Sequence, residues 1–398
     1  MTRETIAPSR DRAHFLTRLS LALGIFALLA SGCADDSGGG GAAGLAWPTD
    51  GWQVEAPEQH GLDPEVLEGA RQYAFQPEKH TQGVVVVRHG VIVAEWYEPG
   101  RDASSFATSW SVAKSFTSAL IGIAIDEGLI ENVDASMATF FPDWRGTDHE
   151  AIKLRDVLQM ASGLDWVESY DPSDLSSSDV IRMILGEPDH LAYAASQPLA
   201  RPPGTSFNYS SGDAMLLSGV LEAVTGRTAA EYAREKLLGP IGMAPVDWWR
   251  DAAGHTATYC CVDTPSREFA KLGLLYLRGG EWDGARVVPA DWVDASTSPS
   301  PSYAGYGYQW WLGTGASLPD YFSARGHDGQ YIYVVPSLDL VVVRSGHYDK
   351  YAGEPVADPS LWARLPSDGL IEGAGTRPPE DGWDDEEFLG PIVAAIER

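Results

Sequence analysis

The sequence predicts a mixed α/β (α+β) protein in which one antiparallel sheet is assembled from the two chain ends and a mainly helical region is inserted between them. Residues 83–97, GVVVVRHGVIVAEWY, form two β-branched runs around a turn and predict a hairpin. Strand character returns in residues 306–313 and 331–346, where Pro336 to Leu338 can turn a second hairpin. Approximately residues 145–295 carry helical patterns separated by Pro and Gly turns, and they predict the insertion.

Apolar periodicity predicts the individual helices. The segment from Ser111 to Glu127 is apolar on nearly every side after its first turn, which indicates a helix buried in the core, and Gly128 is placed to end it. Five further segments have helical patterns: LRDVLQMAS (154–162), DAMLLSGVLEAVTG (213–226), AAEYAREKLLG (229–239), SREFAKLGLLYLRGG (266–280) and EFLGPIVAAIER (387–398).

The first 32 residues predict a lipoprotein signal peptide. Their apolar run LSLALGIFALLA is too short to span a membrane, and Arg10, Arg12 and Arg18 precede it. The small residues Ala30, Ser31 and Gly32 before Cys33 resemble a bacterial lipobox, after which Cys33 would carry lipid and become the new N-terminus. We therefore expect an exported protein of the bacterial cell envelope, lipid-anchored at Cys33. An ordinary signal peptide followed by a chance cysteine is the alternative reading.

The rest of the chain predicts a tether and one folded domain. Residues 33–45 are rich in Gly and small polar residues and predict a flexible tether. Residues 46–398 are long enough for one large domain. The formal net charge of -28 argues against nucleic acid and against anionic membrane surfaces, because both require basic patches. Membrane contact is thus expected through the lipid alone, and no pattern indicates an oligomeric state.

The cysteine content predicts neither a metal site nor a conventional disulfide. Once Cys33 carries lipid, only the adjacent Cys260 and Cys261 remain. Neighbouring Cα atoms lie about 3.8 Å apart, which is less than the usual span of a disulfide, so we favour two packed thiols over a strained ring. With no CxxC pair and no His-rich helix in the sequence, we expect no metal and no cofactor.

Ser111 and Lys114 are the first candidate catalytic residues. In SWSVAKSFTS they stand three residues apart, on one face of the predicted helix. A serine hydroxyl needs a proton acceptor and an oxyanion stabiliser, and a buried lysine can lose its proton near neutral pH. The Ser-x-x-Lys spacing alone is weak evidence, but here it opens a buried helix, where a surface lysine would be out of place.

Two later stretches add residues of the same kind. FNYSSGDAMLL places Tyr209 and Ser210 in a turn before a helix, and ARGHDGQYIYVV places His327 and Gly329 just before a strand. Together with Ser-x-x-Lys, this order of motifs resembles the β-lactamase-related, penicillin-recognising serine hydrolases. The similarity covers most of the chain after the signal, and it implies the β-lactamase-like fold.

The resemblance implies a role for each matching residue. Ser111 would be the acylated nucleophile, Lys114 and Tyr209 the proton-shuttling pair, and the backbone N–H groups of Ser111 and Gln330 the oxyanion hole. Which of Lys114 and Tyr209 takes the first proton stays open. From the sequence itself, Trp310 and Trp311 are expected to lie half in the core and half in the site wall, and Trp310 is counted among the substrate-binding residues. The resemblance implies three further residues on the substrate side of the site: Tyr170, His327 and Gly329. Tyr170 matches a loop tyrosine that contacts the amide in 6-aminohexanoate-dimer hydrolases, although it could equally be an ordinary loop aromatic.

Two departures from the family pattern bear on the substrate. HDG stands where β-lactamases of this branch usually have Lys-Thr-Gly, and YSS stands where they have Tyr-x-Asn. The missing lysine removes a positive charge that would hold a substrate carboxylate. The motifs are therefore most similar to those of the esterase and 6-aminohexanoate-dimer hydrolase relatives.

Three functions are compatible with these residues. The leading expectation is an exported serine hydrolase that cleaves small carboxylic esters or amides through an acyl-enzyme on Ser111. The first alternative is a β-lactamase or D-alanyl-D-alanine carboxypeptidase of the same fold. The second alternative is a non-catalytic lipoprotein that binds an acyl ligand or peptidoglycan. The complete set of Ser111, Lys114 and Tyr209 argues against it, since a binding protein is free to lose these residues.

Overall fold

One six-stranded antiparallel sheet unites the two ends of the chain. The computed structural model describes residues 46–170, 175–314, 317–346 and 382–396. The strands in chain order are β1 (Thr81–Arg88), β2 (Val91–Tyr97), β3 (Phe106–Thr108), β4 (Asp247–Trp248), β5 (Val262–Pro265), β6 (Glu281–Trp282), β7 (Ala285–Arg286), β8 (Trp311–Gly313), β9 (Tyr321–Gly326), β10 (Gln330–Val335) and β11 (Leu340–Gly346). The large sheet has the order β2-β1-β11-β10-β9-β8. The predicted sheet from both chain ends is therefore confirmed.

The helices flank this sheet, and most of them fall between β2 and β8. They are α1 (Pro64–Ala74), α2 (Ala113–Asp126), α3 (Leu154–Leu158), α4 (Asp179–Gly186), α5 (His190–Ala195), α6 (Ser211–Thr225), α7 (Ala229–Ala233), α8 (Ser266–Leu277), α9 (Ala290–Ser296) and α10 (Asp385–Ala395). The predicted core helix begins two residues late, because Ser111 lies in a 3-10 turn, Trp110–Val112, that precedes α2. Gly128 follows the helix with φ of +71°, as its predicted role in ending the helix requires.

The sheet has an apolar core on each of its faces. On one face β10 and β11 pack against α8, where a Cβ on Gly273 would lie 2.6 Å from Cγ1 of Val341. On the other face side chains of α1 and α10 pack together, among them the buried Leu67 and Phe388. Each such side chain contributes about 1.5–3 kcal/mol when it is fully buried. Both faces of β11 are thus covered, which explains why its first four residues, LVVV, form an unbroken apolar run rather than an alternating one.

A smaller sheet brings two distant segments together beside Ser111. Its order is β3-β5-β4, and Thr108 of β3 pairs with Asp263 of β5. Because β3 leads directly into the 3-10 turn, the chain just before β5 lies against that turn. Within the residues that the structure describes, we find no helix with the length and apolarity needed to cross a membrane.

Cys260 and Cys261 do not form the two separate thiols that the sequence analysis favoured. The two cysteines are joined by a disulfide, and their Cα atoms lie 3.7 Å apart. The sequence favoured two thiols, because neighbouring Cα atoms lie closer together than the usual span of a disulfide. Here Cys261 has a φ of +76°, in the left-handed region, and this local backbone brings the two sulfur atoms together.

Candidate active site

A tight turn presents Ser111 at the N-terminal end of α2. Trp110, the residue before it, has a φ of +43°, a left-handed conformation that bulky side chains rarely adopt. The turn is held from both sides: Ser109 N–H donates to Val262 O at 2.8 Å, and Cys261 N–H donates to Trp110 O at 3.3 Å. Unusual backbone of this kind persists where the surroundings fix it, and such sites are often functional.

Lys114 contacts Ser111 directly from the first turn of α2. Its Nζ lies 2.9 Å from Ser111 Oγ and donates to Ser211 Oγ at 3.2 Å and to Tyr259 O at 2.8 Å. The side chain is only 1% exposed. Burial disfavours the ammonium form and lowers the pKa of Lys114 to about 8, while the negative charge of Glu168 opposes the decrease. The lysine is therefore able to exchange a proton near neutral pH.

Glu168 is the centre of a hydrogen-bond network beside this lysine. Its carboxylate accepts from Ser211 Oγ at 2.6 Å, Ser211 N–H at 2.8 Å, Tyr170 Oη at 2.9 Å and Trp166 Nε1 at 2.6 Å. Both oxygens are thus occupied by protein donors, and Ser211 Oγ links the carboxylate to Lys114. Glu168 was not among the predicted site residues, since it stands in a loop without periodicity and meets Ser211 from 43 positions away.

Aromatic side chains form the walls around Ser111. The ring of Tyr209 lies 5.0 Å from Lys114 Nζ and stacks on Trp311 with centroids 5.6 Å apart. The ring of Tyr170 lies 4.5 Å from that of His327. Burial and the neighbouring carboxylate raise the pKa of Tyr170 well above its ordinary value, so this phenol stays protonated as a donor.

The end of β9 lies directly against the nucleophile turn. A Cβ added to Gly326 would lie 2.3 Å from Ser109 O and 3.1 Å from Ser111 N, so only glycine allows this approach. The 3-10 turn His327–Gly329 follows at once. It rests on the fully buried Arg344, whose Nη1 donates to Asp328 O and to Gly329 O at 2.6 Å each.

One pocket of about 510 Å³ opens onto Ser111. Five of the predicted site residues line it: Ser111, Tyr170, Tyr209, His327 and Gly329. Lys114 reaches the same place from beneath, through its contact with Ser111 Oγ. The chain ends and the helical insertion thus meet at a single site, as the motifs predict.

Two predicted residues lie elsewhere. Trp310 is 0% exposed and packs between Tyr276 and Phe322, so the core holds it, while its neighbour Trp311 faces the pocket. Adjacent strand residues point to opposite faces, and the sequence alone did not show which tryptophan faces inward. Gln330 begins β10, an inner strand, and its side chain bonds to the backbone of Gly346. It does not line the pocket.

The pocket also has lining residues that the sequence did not indicate. They are Glu168, Asn208, Arg325, Gly326, Asp328, Tyr331 and Trp383. Arg325 matters most among them, because it brings a guanidinium, 30% exposed, to the wall next to the His327–Gly329 turn. Its position two residues before His327 in a strand was the available signal.

A comparison with known proteins agrees with this geometry. A family model described as Beta-lactamase matches residues 70–363. The chain belongs to the β-lactamase family. The 6-aminohexanoate-dimer hydrolase of Paenarthrobacter ureafaciens is 28% identical over 322 residues, which cover 73% of this chain and 77% of that protein. The protein is accordingly an enzyme, a serine hydrolase.

Solved structures show the same fold at low identity. EstCE1, a hydrolase with promiscuous acyltransferase activity, has a TM-score of 0.59 at 16% identity and covers 80% of this chain and 99% of its own. The octameric penicillin-binding protein homologue from Pyrococcus abyssi has a TM-score of 0.58 at 17% identity and covers 79% and 78% of the two chains. These likenesses establish the β-lactamase-like fold of the hydrolase.

Proposed function

We propose that this hydrolase cleaves small carboxylic amides or esters through an acyl-enzyme on Ser111. The observation that carries the proposal is the 2.9 Å contact between Ser111 Oγ and the buried Nζ of Lys114. With a pKa of about 8, part of the lysine is neutral at physiological pH and accepts a proton from the hydroxyl.

The reaction would proceed in two halves. Ser111 Oγ attacks the carbonyl carbon as its proton passes to Lys114, which is assigned the first proton because it touches Oγ. Collapse of the tetrahedral intermediate breaks the C–N or C–O bond, and the leaving amine or alcohol receives a proton through the pair of Lys114 and Tyr209. Water then attacks the acyl-Ser111 ester, its proton goes to Lys114, and the carboxylic acid and free Ser111 are released.

We assign the oxyanion hole to the backbone N–H groups of Ser111 and His327, in place of Gln330. In antiparallel strands, facing residues form hydrogen-bonded and non-hydrogen-bonded pairs in alternation. Leu312 N–H donates to Gly305 O and not to β9, so the hydrogen-bonded pair between β8 and β9 is the neighbouring one, Trp311 and Ser323. The N–H of Ser323 therefore points toward β8. Every second residue after Ser323 therefore directs its N–H away from β10, and His327 is one of these. The extended backbone of Gly326, with φ of -131° and ψ of 160°, continues this alternation to His327.

The substrate is proposed to be a small amide or ester whose acyl group fits between the aromatic walls. The pocket volume of about 510 Å³ suits a small molecule, and Tyr170 and Tyr209 offer phenol groups beside the scissile bond. The relative from Paenarthrobacter ureafaciens supports an amide, since its name gives the dimer of 6-aminohexanoate as its substrate. Glu168 is not assigned to substrate, because protein donors already occupy both of its oxygens.

Turnover of β-lactams or D-alanyl peptides is the second candidate, and Arg325 is the observation that favours it. These substrates carry a carboxylate, and the family's lysine for it is absent from HDG. The guanidinium of Arg325 lines the same pocket and would supply the positive charge from another position. Its ion pair with Asp385 weakens that charge, so we rank this candidate second.

We also propose that the hydrolase is exported and held at the cell envelope by lipid on Cys33. Cys33 and the signal peptide lie outside the described residues, so the proposal is supported by the sequence of residues 1–45 alone. Metabolic labelling with a palmitate analogue tests it. We expect label in the wild-type protein and none in Cys33→Ala; equal labelling of the two would contradict the anchor.

The first experiment is the intact mass of the protein, quenched soon after mixing with a p-nitrophenyl ester or with benzylpenicillin. An acyl-sized gain from the ester that is absent in Ser111→Ala would support the amidase or esterase proposal. A stable gain from penicillin alone would favour the second candidate. No gain and no release of p-nitrophenol would refute hydrolysis on Ser111 and favour a binding protein.

A further inference from the structure

The segment Tyr259–Val262 supports both Ser111 and Lys114. Its first residue offers the backbone oxygen of Tyr259, which accepts from Lys114 Nζ at 2.8 Å. Its third residue, Cys261, donates its N–H to Trp110 O at 3.3 Å, directly before the nucleophile. A movement of this segment would therefore change the position of the lysine and of the serine together.

Further hydrogen bonds fasten the same segment to the nucleophile turn. The buried Ser109 Oγ accepts from Cys261 N–H at 3.2 Å and from Val262 N–H at 2.8 Å. From behind, Trp248 Nε1 donates to Cys260 O at 3.0 Å. Cys260 and Cys261 are 3% and 0% exposed, so their disulfide lies inside the packed site and not on the surface.

The disulfide constrains the backbone at the point where the segment contacts the turn. Cys261 has a φ of +76°, which an L-residue without further restraint disfavours and which glycine adopts readily. The covalent link between neighbouring side chains prevents the chain from leaving this conformation. Without the link, we expect Cys261 to sample the ordinary region of negative φ, and its N–H would then turn away from Trp110 and Ser109.

We propose that the Cys260–Cys261 disulfide positions Ser111 and Lys114 for catalysis and makes the hydrolase sensitive to reductants. The proposal rests on the proposed function, in that Ser111 must be the nucleophile. Both cysteines are positioning residues, because they act through Tyr259 O and Trp110 O. A dithiol reductant would break the S–S bond by transferring two electrons and two protons, giving two cysteine thiols and the cyclic disulfide of the reductant.

The first test establishes the link itself. In protein carrying Cys33→Ala, Cys260 and Cys261 are the remaining cysteines of the sequence. We expect iodoacetamide to add no label after denaturation without reductant, and two labels after treatment with dithiothreitol. Two labels without reductant would overturn the proposal.

The second test separates positioning from simple stabilisation. In the same background, Cys260→Ala with Cys261→Ala should lower kcat about ten- to a hundredfold, because displacements near 1 Å reduce rates by that order, with KM nearly unchanged. Cys260→Ala with Cys261→Gly should recover part of this loss, since glycine keeps the left-handed backbone. Full reduction of the parent protein, which carries Cys33→Ala alone, should give the same kcat and KM as the variant with both Cys260→Ala and Cys261→Ala, the alanine pair.

The outcomes distinguish this proposal from the proposed function. Labelling of Ser111 by a fluorophosphonate, absent in Ser111→Ala, reports the nucleophile whatever the substrate. Fast labelling of the parent and slow labelling of the alanine pair would support positioning even if no ester were hydrolysed. Equal kcat and equal labelling rates, with only a lower melting temperature in the alanine pair, would overturn it. Glycine and alanine pairs of equal activity would overturn the backbone argument.

Discussion

Glu168 should determine the pH at which the hydrolase becomes active. The carboxylate is joined to Lys114 Nζ through Ser211 Oγ, by hydrogen bonds of 2.6 Å and 3.2 Å. Its negative charge favours the ammonium form and raises the pKa of Lys114, against the larger effect of burial. Glu168→Gln removes the charge with little change in shape, so the pKa of Lys114 should fall.

The size of this shift follows from the separation of the charges. The two hydrogen bonds keep them within about 6 Å, where unit charges attract by about 3 kcal/mol at an effective dielectric constant of about 20. Since one pKa unit corresponds to about 1.4 kcal/mol, the shift is at most about two units. Water in the open pocket screens part of the interaction, so we expect about one to two units. Activity requires neutral Lys114. In Glu168→Gln the rising limb of the plot of rate against pH should therefore move from about pH 8 to a lower pH.

The assay is the initial rate of p-nitrophenyl ester hydrolysis from pH 5 to 10, followed at the isosbestic wavelength of p-nitrophenol. At pH 6 the wild type should retain about 1% of its own plateau, and Glu168→Gln about a tenth or more. The matched control is Glu131→Gln, which removes the same charge from an exposed position. Melting temperatures show whether the lost acceptors for Trp166 and Ser211 alter folding.

One result would refute the reasoning. If Glu168→Gln remained folded and active with its limb at the wild-type pH, the titrating group would not be a lysine coupled to this carboxylate. A lower plateau at an unchanged pH would likewise assign Glu168 to structure alone. If the rising limb of the variant lay at a higher pH than that of the wild type, removal of the carboxylate would have raised the pKa of the titrating group. This is the opposite of its expected effect on a lysine, and it would exclude Lys114 as the base.

Four further variants test separate parts of the site. Lys114→Arg, always charged, should lose about 10²–10⁴-fold in kcat while staying folded, and near-normal turnover would remove the lysine from the chemistry. Gly326→Ala should lose at least about tenfold in kcat through its contact with Ser109 and Ser111, whereas Gly186→Ala, in open space, should not; equal rates would contradict the close approach. Arg325→Gln should raise KM about tenfold or more for amides carrying a carboxylate and leave neutral esters unchanged, and parallel changes for both would make Arg325 structural. His327→Gln should abolish any limb of the profile caused by the imidazole, and an unchanged profile would limit His327 to its backbone N–H.

The sheet and its helices could be predicted because their signals are local. The unbroken valines of β1 and β11 and the apolar α2 each specify an element within one stretch of chain. The motif residues Ser111 and Lys114 were equally local, since three positions on a helix fix their distance. Such features depend on sequence neighbours and not on the arrangement of the rest of the molecule.

The residues that the sequence did not reveal depend on pairing between distant segments. Whether Trp310 or Trp311 faces the pocket changes with a shift of one residue in strand register, and our proposed choice between the N–H groups of His327 and Gln330 depends on the same register. Glu168 joins the site only because its loop folds onto the start of α6. The Cys260–Cys261 disulfide depends on the left-handed backbone conformation of Cys261. A cysteine in the sequence does not indicate that its backbone will adopt this conformation.

The electrostatics of the site explain what Glu168 contributes next to a base. Burial alone makes Lys114 neutral but also a poorer proton acceptor, since basicity falls with pKa. A nearby carboxylate limits that decrease, and the result is a pKa of about 8. Ser211 Oγ and Tyr259 O hold the lysine between the carboxylate and the nucleophile, so proton transfer and position are set by the same contacts. Substitution of Glu168 or Ser211 should therefore change the pH profile and kcat together, whereas substitution of a residue in the substrate wall, such as Trp311, should change KM.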